Sequence, residues 1–405
     1  MRIESRFATA LAAMLLSAPL IAQRAPKPGP PPPLPPPPSI AGWDAFVRAF
    51  DSYAVADSIV GAAVLVLRDG RVVARHDYGW GDRRATQRAD SNTIYHWGSI
   101  TKTLTAVAIM QLRDRGRLTL DDRVTSYLPE LRQVHNPFGS MDDVTIRMLL
   151  SHSAGFQDPT WPYRQWKPWE PFEPTRWEQL VAMMPYQELR FAPDTRYGYS
   201  NPAFIYLARI IEQLTGDAWQ TYVQKNLFLP LELTRSSFAV TPYHLARFRS
   251  NNYTVGRDSA GRETVVANGR EFDPGITIPN GGWNAPLGDL ARWLGFLTGA
   301  TGGDVLARGS LAEMWRSRFP GAEPVAPGDS LADSIGLSFF VLWRQGVRFV
   351  GHTGSQAGFR SFFYVNPATR AAVVAAFNTS NDAHPEQSAA GFRAVRDAAL
   401  ELIAR

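Results

Sequence analysis

The 405-residue chain has no cysteine and only four lysines, at positions 27, 102, 167 and 225. The first absence excludes disulfides and a lipoprotein anchor; it is compatible with an oxidising compartment without demonstrating one. The second means that, of 42 basic residues, 38 are arginine. The chain therefore uses arginine for nearly every ordinary cation. Basic runs are missing too, with acidic residues interspersed throughout, which excludes the charge footprint of a nucleic-acid binder. The net charge of +5 falls to +2 once Arg2, Arg6, Arg24, Lys27 and Glu4 are set aside. There is no internal repeat and no βαβ alternation. The histidines at 76, 96, 135, 152, 244 and 384 lack metal-ligand spacing.

What is there begins with an N-terminal leader. Arg2 and Arg6 precede an apolar run from Phe7 to Ala18, followed by small residues around Ala18 and Ala22. This is the pattern of a cleavable signal peptide over 1–22, with export to a periplasmic or extracellular location. The run is short for a membrane span and Pro19 interrupts it, so no stable insertion is expected after cleavage. No later apolar stretch reaches spanning length. Residues 23–42 form a linker, in which ten of the residues from Ala25 to Pro38 are proline. That composition predicts an extended polyproline spacer of roughly 40 Å. The folded domain is expected over 43–405.

The stretch that organises this domain is Asn92 to Gly116, which turns helical at about Ser99. Ser99 and Lys102 are three residues apart, hence on one helix face about 5–6 Å apart. Leu104, Val107, Ala108, Ile109, Met110 and Leu112 make the helix apolar nearly all round, so it is buried. A lysine in its first turn sits near the interior, where an ammonium is costly unless it is paired or deprotonated. A buried lysine can act as a base, which arginine cannot. Chance gives about 0.25 Ser-x-x-Lys matches in such a chain, so the motif alone is only suggestive.

The patterning predicts helices over 43–56, 177–185, 202–215, 217–228, 287–298 and 387–404, and a short one within 144–156. Two β-rich runs flank Asp69-Gly70, a hairpin signal. Four more strand-like runs, LSFFVLWR, VRFVGH, GFRSFFYVN and AAVVAAFN, crowd the C-terminal part. One sheet built from both ends of the domain (about 43–95 and 335–405) with an inserted helical lobe (about 96–334) is the expected α/β (α+β) architecture. Residues 235–280 give no clear pattern. The loop 159–177 is dense in aromatic residues, either a wall over a cleft or a loop stapled down by its rings.

A serine nucleophile needs a base and an oxyanion hole. Tyr199, in Tyr-Ser-Asn, could relay a proton if a nearby cation lowers its phenol pKa. Read alone, it is a packing tyrosine. His352-Thr353-Gly354 lies between two strand runs, where glycines at 354 and 358 allow a substrate backbone to approach.

In this order, Ser99-x-x-Lys102, Tyr199-Ser200-Asn201 and His352-Thr353-Gly354 resemble the three motifs of the penicillin-recognising serine hydrolases. The similarity is to the branch of class C β-lactamases, related esterases and D-amino-acid-specific peptidases. LLSHSAGF at 149–156, FAPDTRYGYSN at 191–201, GGWNAPLGDLARWL at 281–294 and FNTSND at 377–382 match the same branch. The resemblance implies a β-lactamase/transpeptidase-like fold: a mostly antiparallel sheet flanked by helices, with the site beside a helical lobe. It implies that Ser99 is acylated, Lys102 activates it, Tyr199 serves as general base or acid, and Asn201 binds the substrate amide. It also places the oxyanion hole at the N–H groups of Ser99 and Ser355, and implies no cofactor. The expected activity is hydrolysis of small esters or D-amino-acid peptides through an acyl-Ser99 intermediate. Alternatives are a class C-like β-lactamase and a penicillin-binding or sensor protein that does not turn over. His352 stands where classical β-lactamases carry a lysine for the substrate carboxylate. That departure weighs against β-lactams unless Arg360 supplies the charge, for which an exposed strand arginine is the alternative. His152 reads as a structural residue of its turn.

Overall fold

The computed structural model describes residues 40–156, 174–319 and 332–405. The leader, nearly all of the proline-rich linker and most of the aromatic loop at 159–177 lie outside these residues.

After helix α1 (Trp43–Ala56) come strands β1 (Gly61–Arg68), β2 (Arg71–Asp82), β3 (Gln87–Arg88) and β4 (Ile94–His96). A 3-10 turn at Gly98–Ile100 leads into α2 (Thr101–Asp114). Helices α3 (Ile146–Leu150), α4 (Trp177–Met183), α5 (Pro202–Thr215) and α6 (Trp219–Val223) follow. The stretch that sequence patterning left unread holds β5 (Ser237–Phe238), β6 (Asn252–Arg257), β7 (Glu263–Gly269) and α7 (Ile278–Gly281). Next are β8 (Trp283–Pro286), α8 (Leu287–Thr298) and α9 (Arg308–Met314). The C-terminal part holds β9 (Ser334–Ile335), β10 (Phe340–Arg344), β11 (Val347–Gln356), β12 (Phe359–Asn366), β13 (Ala371–Phe377), β14 (Thr379–Asn381) and α10 (Pro385–Ile403).

The main sheet has eight strands in the order β3-β2-β1-β13-β12-β11-β10-β9, antiparallel throughout. The junction between its two sequence-distant halves is β1 against β13, with Val64 opposite Ala375. Both of these strands are apolar on both faces because helices cover both sides. Ala62, Val64 and Val66 face a core shared with α1 and α10. Ala63, Leu65 and Leu67 face the larger core containing α2, α5 and α8. Two three-stranded sheets complete the fold, ordered β14-β6-β7 and β4-β8-β5.

The second small sheet anchors the serine turn. β8 pairs with β4 so that His96 lies opposite Asn284. Trp97, fully buried, donates its backbone N–H to the Trp283 carbonyl and its indole N–H to the Ala285 carbonyl, both at 2.9 Å. Thr101 Oγ1 donates to the Gly98 carbonyl at 2.7 Å and accepts from the Trp283 N–H at 3.0 Å. The turn is thus hydrogen-bonded on both sides before the helix starts. The α-helix itself begins at Thr101, two residues later than the sequence suggests, because Gly98–Ile100 take the tighter 3-10 form common at helix starts.

Candidate active site

Ser99 is partly exposed at the head of α2, while Lys102 is fully buried below it. Lys102 Nζ donates to Ser99 Oγ at 3.0 Å, to Asn201 Oδ1 at 2.6 Å and to the Asn280 carbonyl at 3.0 Å. All three acceptors belong to neutral groups, and together they match the three donors of an ammonium. The Tyr199 ring centroid lies 4.8 Å from Nζ, and that of Phe204 5.7 Å. Tyr199, Ser200 and Asn201 immediately precede α5, whose first residue is Pro202, a residue preorganised for a helix start. The helix start therefore fixes where Asn201 points. Its Oδ1 also accepts from Asn280 Nδ2 at 3.2 Å, which turns its own amide nitrogen away from Lys102.

The third motif arrives on β11, where His352 pairs with Phe363 and Gly354 with Ser361 on β12. A Cβ on Gly354 would stand 2.0 Å from the Trp97 carbonyl oxygen, and one on Gly98 would stand 3.0 Å from the Ser355 nitrogen. Only glycines let β11 press against the serine turn this closely. Gly98 also needs its positive φ of 51° to make the turn. The backbone N–H groups of Ser99 and Ser355 are thereby carried on two strips of chain in contact.

His352 is 1% exposed and stacks on Phe340 at 4.4 Å. Its Nδ1–H donates to the Thr353 carbonyl at 2.5 Å, so in the neutral ring Nε2 is the lone-pair nitrogen. Nε2 has no hydrogen-bond partner among the described residues. Burial, reinforced by the nearby Lys102 charge, pushes the His352 pKa down to about 3. It is a neutral acceptor at any physiological pH.

Arg360 does not supply the charge that a lysine would have carried. It points to the other face of the sheet, donates to Ser388 Oγ at 2.6 Å and lies 4.3 Å over the Phe392 ring. The alternation of β12 explains this: Phe359 and Phe363 face the core that holds the site, and Phe362 and Tyr364 the opposite core, which puts Arg360 on the latter side.

Asn280 is the site residue that sequence reading missed. It lies one residue before the GGWN stretch, and it reaches Lys102 through its backbone carbonyl and Asn201 through its side-chain amide, contacts that no local spacing announces. His96 is another contributor. Its Nδ1 meets Asn284 Oδ1 at 2.8 Å and its Nε2 meets Gln356 at 3.0 Å, tying β4 to the residue after Ser355. Burial and Arg249 push its pKa down to about 4. Among the described residues no group of three or more His, Asp or Glu side chains gathers as a metal site.

A serine hydrogen-bonded to a buried lysine, with a tyrosine and an asparagine from a second segment and two opposed backbone strips, brings together the groups that serine acyl transfer requires. The Beta-lactamase family profile matches residues 44–398, and the chain belongs to that family. Among relatives, Protein flp of Staphylococcus aureus (strain COL) is 25% identical over 328 residues, 81% of this chain and 61% of the relative. The chain thus matches somewhat under two thirds of that protein's length. The octameric penicillin-binding protein homologue from Pyrococcus abyssi is similar with a TM-score of 0.70 and 24% identity, covering 87% of this chain and 77% of that one. The D-amino acid amidase from Ochrobactrum anthropi SV3 has a TM-score of 0.73 at 19% identity, covering 89% and 97%. At these identities the two structures speak for the β-lactamase/transpeptidase-like fold.

Proposed function

We propose that this protein is an exported serine hydrolase that cleaves esters or amides lacking a carboxylate at the third-motif subsite, through an acyl-Ser99 intermediate. The observation that carries the reading is the Ser99–Lys102–Asn201 hydrogen-bonded chain with Tyr199 beside it. In the proposed reaction a deprotonated Lys102 or Tyr199 takes the Ser99 hydroxyl proton as Oγ attacks the substrate carbonyl. The oxyanion forms against the N–H groups of Ser99 and Ser355. The leaving alcohol or amine departs with a proton returned by Tyr199. Water then attacks the acyl carbon, its proton passing through Tyr199 to the departing Ser99 Oγ, which frees the acid and restores the Ser99 hydroxyl. Asn201, whose amide nitrogen faces away from Lys102, would donate to the acyl side chain.

The substrate class follows from His352. A neutral imidazole with its Nδ1–H engaged offers a lone pair, which binds no carboxylate. Thr353 and Gly354 would line the same edge. The likeness to a D-amino acid amidase, whose named substrate class has no free carboxylate, supports the same direction. The test is intact-mass spectrometry after exposure to a penicillin and an activated ester, paired with turnover of nitrocefin, nitrophenyl esters and D-aminoacyl amides. We expect an acyl adduct of Ser99 and turnover of esters or amides. Rapid nitrocefin hydrolysis would replace this reading with a β-lactamase, and a stable penicillin adduct without any turnover would replace it with a sensor. A folded protein showing neither would overturn the enzyme reading.

A further inference from the structure

We propose that His152 is a positioning residue that fixes Tyr199 for proton transfer at Ser99, clamping residues 198–200 from one side. The proposal rests on the acyl-Ser99 reading. Three separate contacts converge from this one residue. Its backbone carbonyl accepts from the Gly198 N–H at 2.8 Å. Its ring Nδ1 accepts from the Ser200 N–H at 3.0 Å. Between these two bonds its imidazole lies face to face with the Tyr199 ring, centroids 4.5 Å apart and planes 25° apart. Phe204 closes on the imidazole at 5.1 Å. Lys102 lies 4.8 Å from the centroid of the Tyr199 ring.

The arrangement is more than a turn needs. His152 takes a positive φ of 54°, an uncommon conformation for a side-chain-bearing residue. It is 1% exposed, and its Nε2 has no hydrogen-bond partner among the described residues. With Nδ1 accepting, Nε2 carries the proton of the neutral ring, and burying that donor unpaired is costly. Burial first, then the Lys102 charge, hold the ring well below its ordinary pKa. It therefore adds no second cation beside Lys102. A turn tied only by its backbone would be satisfied by asparagine, which adopts positive φ readily. The ring instead covers the face of Tyr199.

Two variants separate the parts. His152→Asn keeps positive φ and an acceptor but loses the ring; His152→Phe keeps the ring but loses the acceptor. For a nitrophenyl ester we expect His152→Asn to lower kcat about 10–100-fold, the scale of an ångström-level misplacement, with KM within about twofold. In a Tyr199→Phe background the same change should cost less than about twofold, because the group being positioned is already gone. Equal losses in both backgrounds, or a loss confined to KM, would overturn the proposal. A readout independent of turnover is the carbon-13 resonance of Tyr199 Cζ in tyrosine-labelled protein, identified by its absence from Tyr199→Phe. It should move in His152→Asn and stay close to its place in His152→Phe. If wild type turns over nothing, the hydrolase reading fails while this resonance still decides whether the clamp exists. An unmoved resonance in His152→Asn overturns it, and if that variant does not fold, His152→Gly, which keeps the positive φ and removes the ring, carries the same test with the same expected shift.

Discussion

Two buried polar clusters lie on opposite faces of the main sheet, and they are built by opposite rules. The cluster between α1 and α10 is closed. Asp57, 4% exposed, accepts from the Tyr53 hydroxyl at 2.9 Å, the Ser388 hydroxyl at 2.6 Å and Asn381 Nδ2 at 3.0 Å. Arg360 donates to the same Ser388 oxygen. The cluster around Lys102 is open. His352 Nε2, His152 Nε2 and Asn280 Oδ1 are all buried and have no hydrogen-bond partner among the described residues. A closed network contributes stability and specifies one packing. An open one forgoes part of that stability and leaves polar groups unpaired around Lys102. Activity and stability should therefore separate by face.

The largest separation is expected for Ser99→Ala. Ester turnover should fall by at least about 10³-fold, the loss typical of removing a nucleophile that works with its base. The thermal midpoint should stay within a few degrees, since Ser99 is partly exposed and supports no core contact. Residual turnover near wild type would place the nucleophile elsewhere. Asp57→Ala should do the converse. It leaves three buried donors, on Tyr53, Ser388 and Asn381, without their acceptor, each unpaired donor costing about 1–3 kcal/mol. Urea unfolding reads that loss, and kcat at 25 °C should remain within about twofold. A matching loss of kcat in still-folded protein would show that the two faces are coupled.

His352→Lys sharpens the comparison at the substrate. The neutral acceptor becomes a cation, and a carboxylate partner gains a charge-assisted bond worth about 1.5–3 kcal/mol when well formed. The new ammonium would stand beside Lys102, which offsets part of this. A shift of about tenfold in kcat/KM ratio toward carboxylate-bearing substrates is expected. No shift, with the protein folded and active on esters, would remove His352 from substrate selection.

The features legible in sequence were those carried by local spacing. Ser99 and Lys102 are three apart on a helix, the Asp69-Gly70 turn marks β1 and β2, and the period-two runs at the end mark β10 to β13. What escaped depends on contacts distant in sequence. β8 earns its place by pairing with β4 and β5, a short apolar stretch with no period of its own. The β6–β7 hairpin is largely exposed on β7, so hydrophobic alternation gives it away poorly. Asn280 meets Lys102 and Asn201 across about 80 to 180 residues of chain, and His152 meets Tyr199 through its ring face. Arg360 could have been placed by counting alternate residues along β12, had the strand's inward face been known.

Acid unfolding gives the finest measure of the open face. His96, His152 and His352 all have pKa values below the ordinary 6.5, with His96 near 4 and His352 near 3, chiefly because burial disfavours their charged forms. Between pH 6.5 and those values the unfolded chain binds protons that the folded chain excludes. Stability is then complete above about pH 6.5 and declines as pH falls, the slope following the extra protons held by the unfolded state. From pH 7.5 to 5.5 each histidine should account for about 1 kcal/mol, the scale of one pKa unit. Urea midpoints across this range measure the total. His352→Phe, which keeps the stack on Phe340 and removes one titrating ring, should flatten the decline by about 1 kcal/mol. An unchanged slope would mean that His352 is not held neutral by its burial, and the substrate argument built on its lone pair would fall with it.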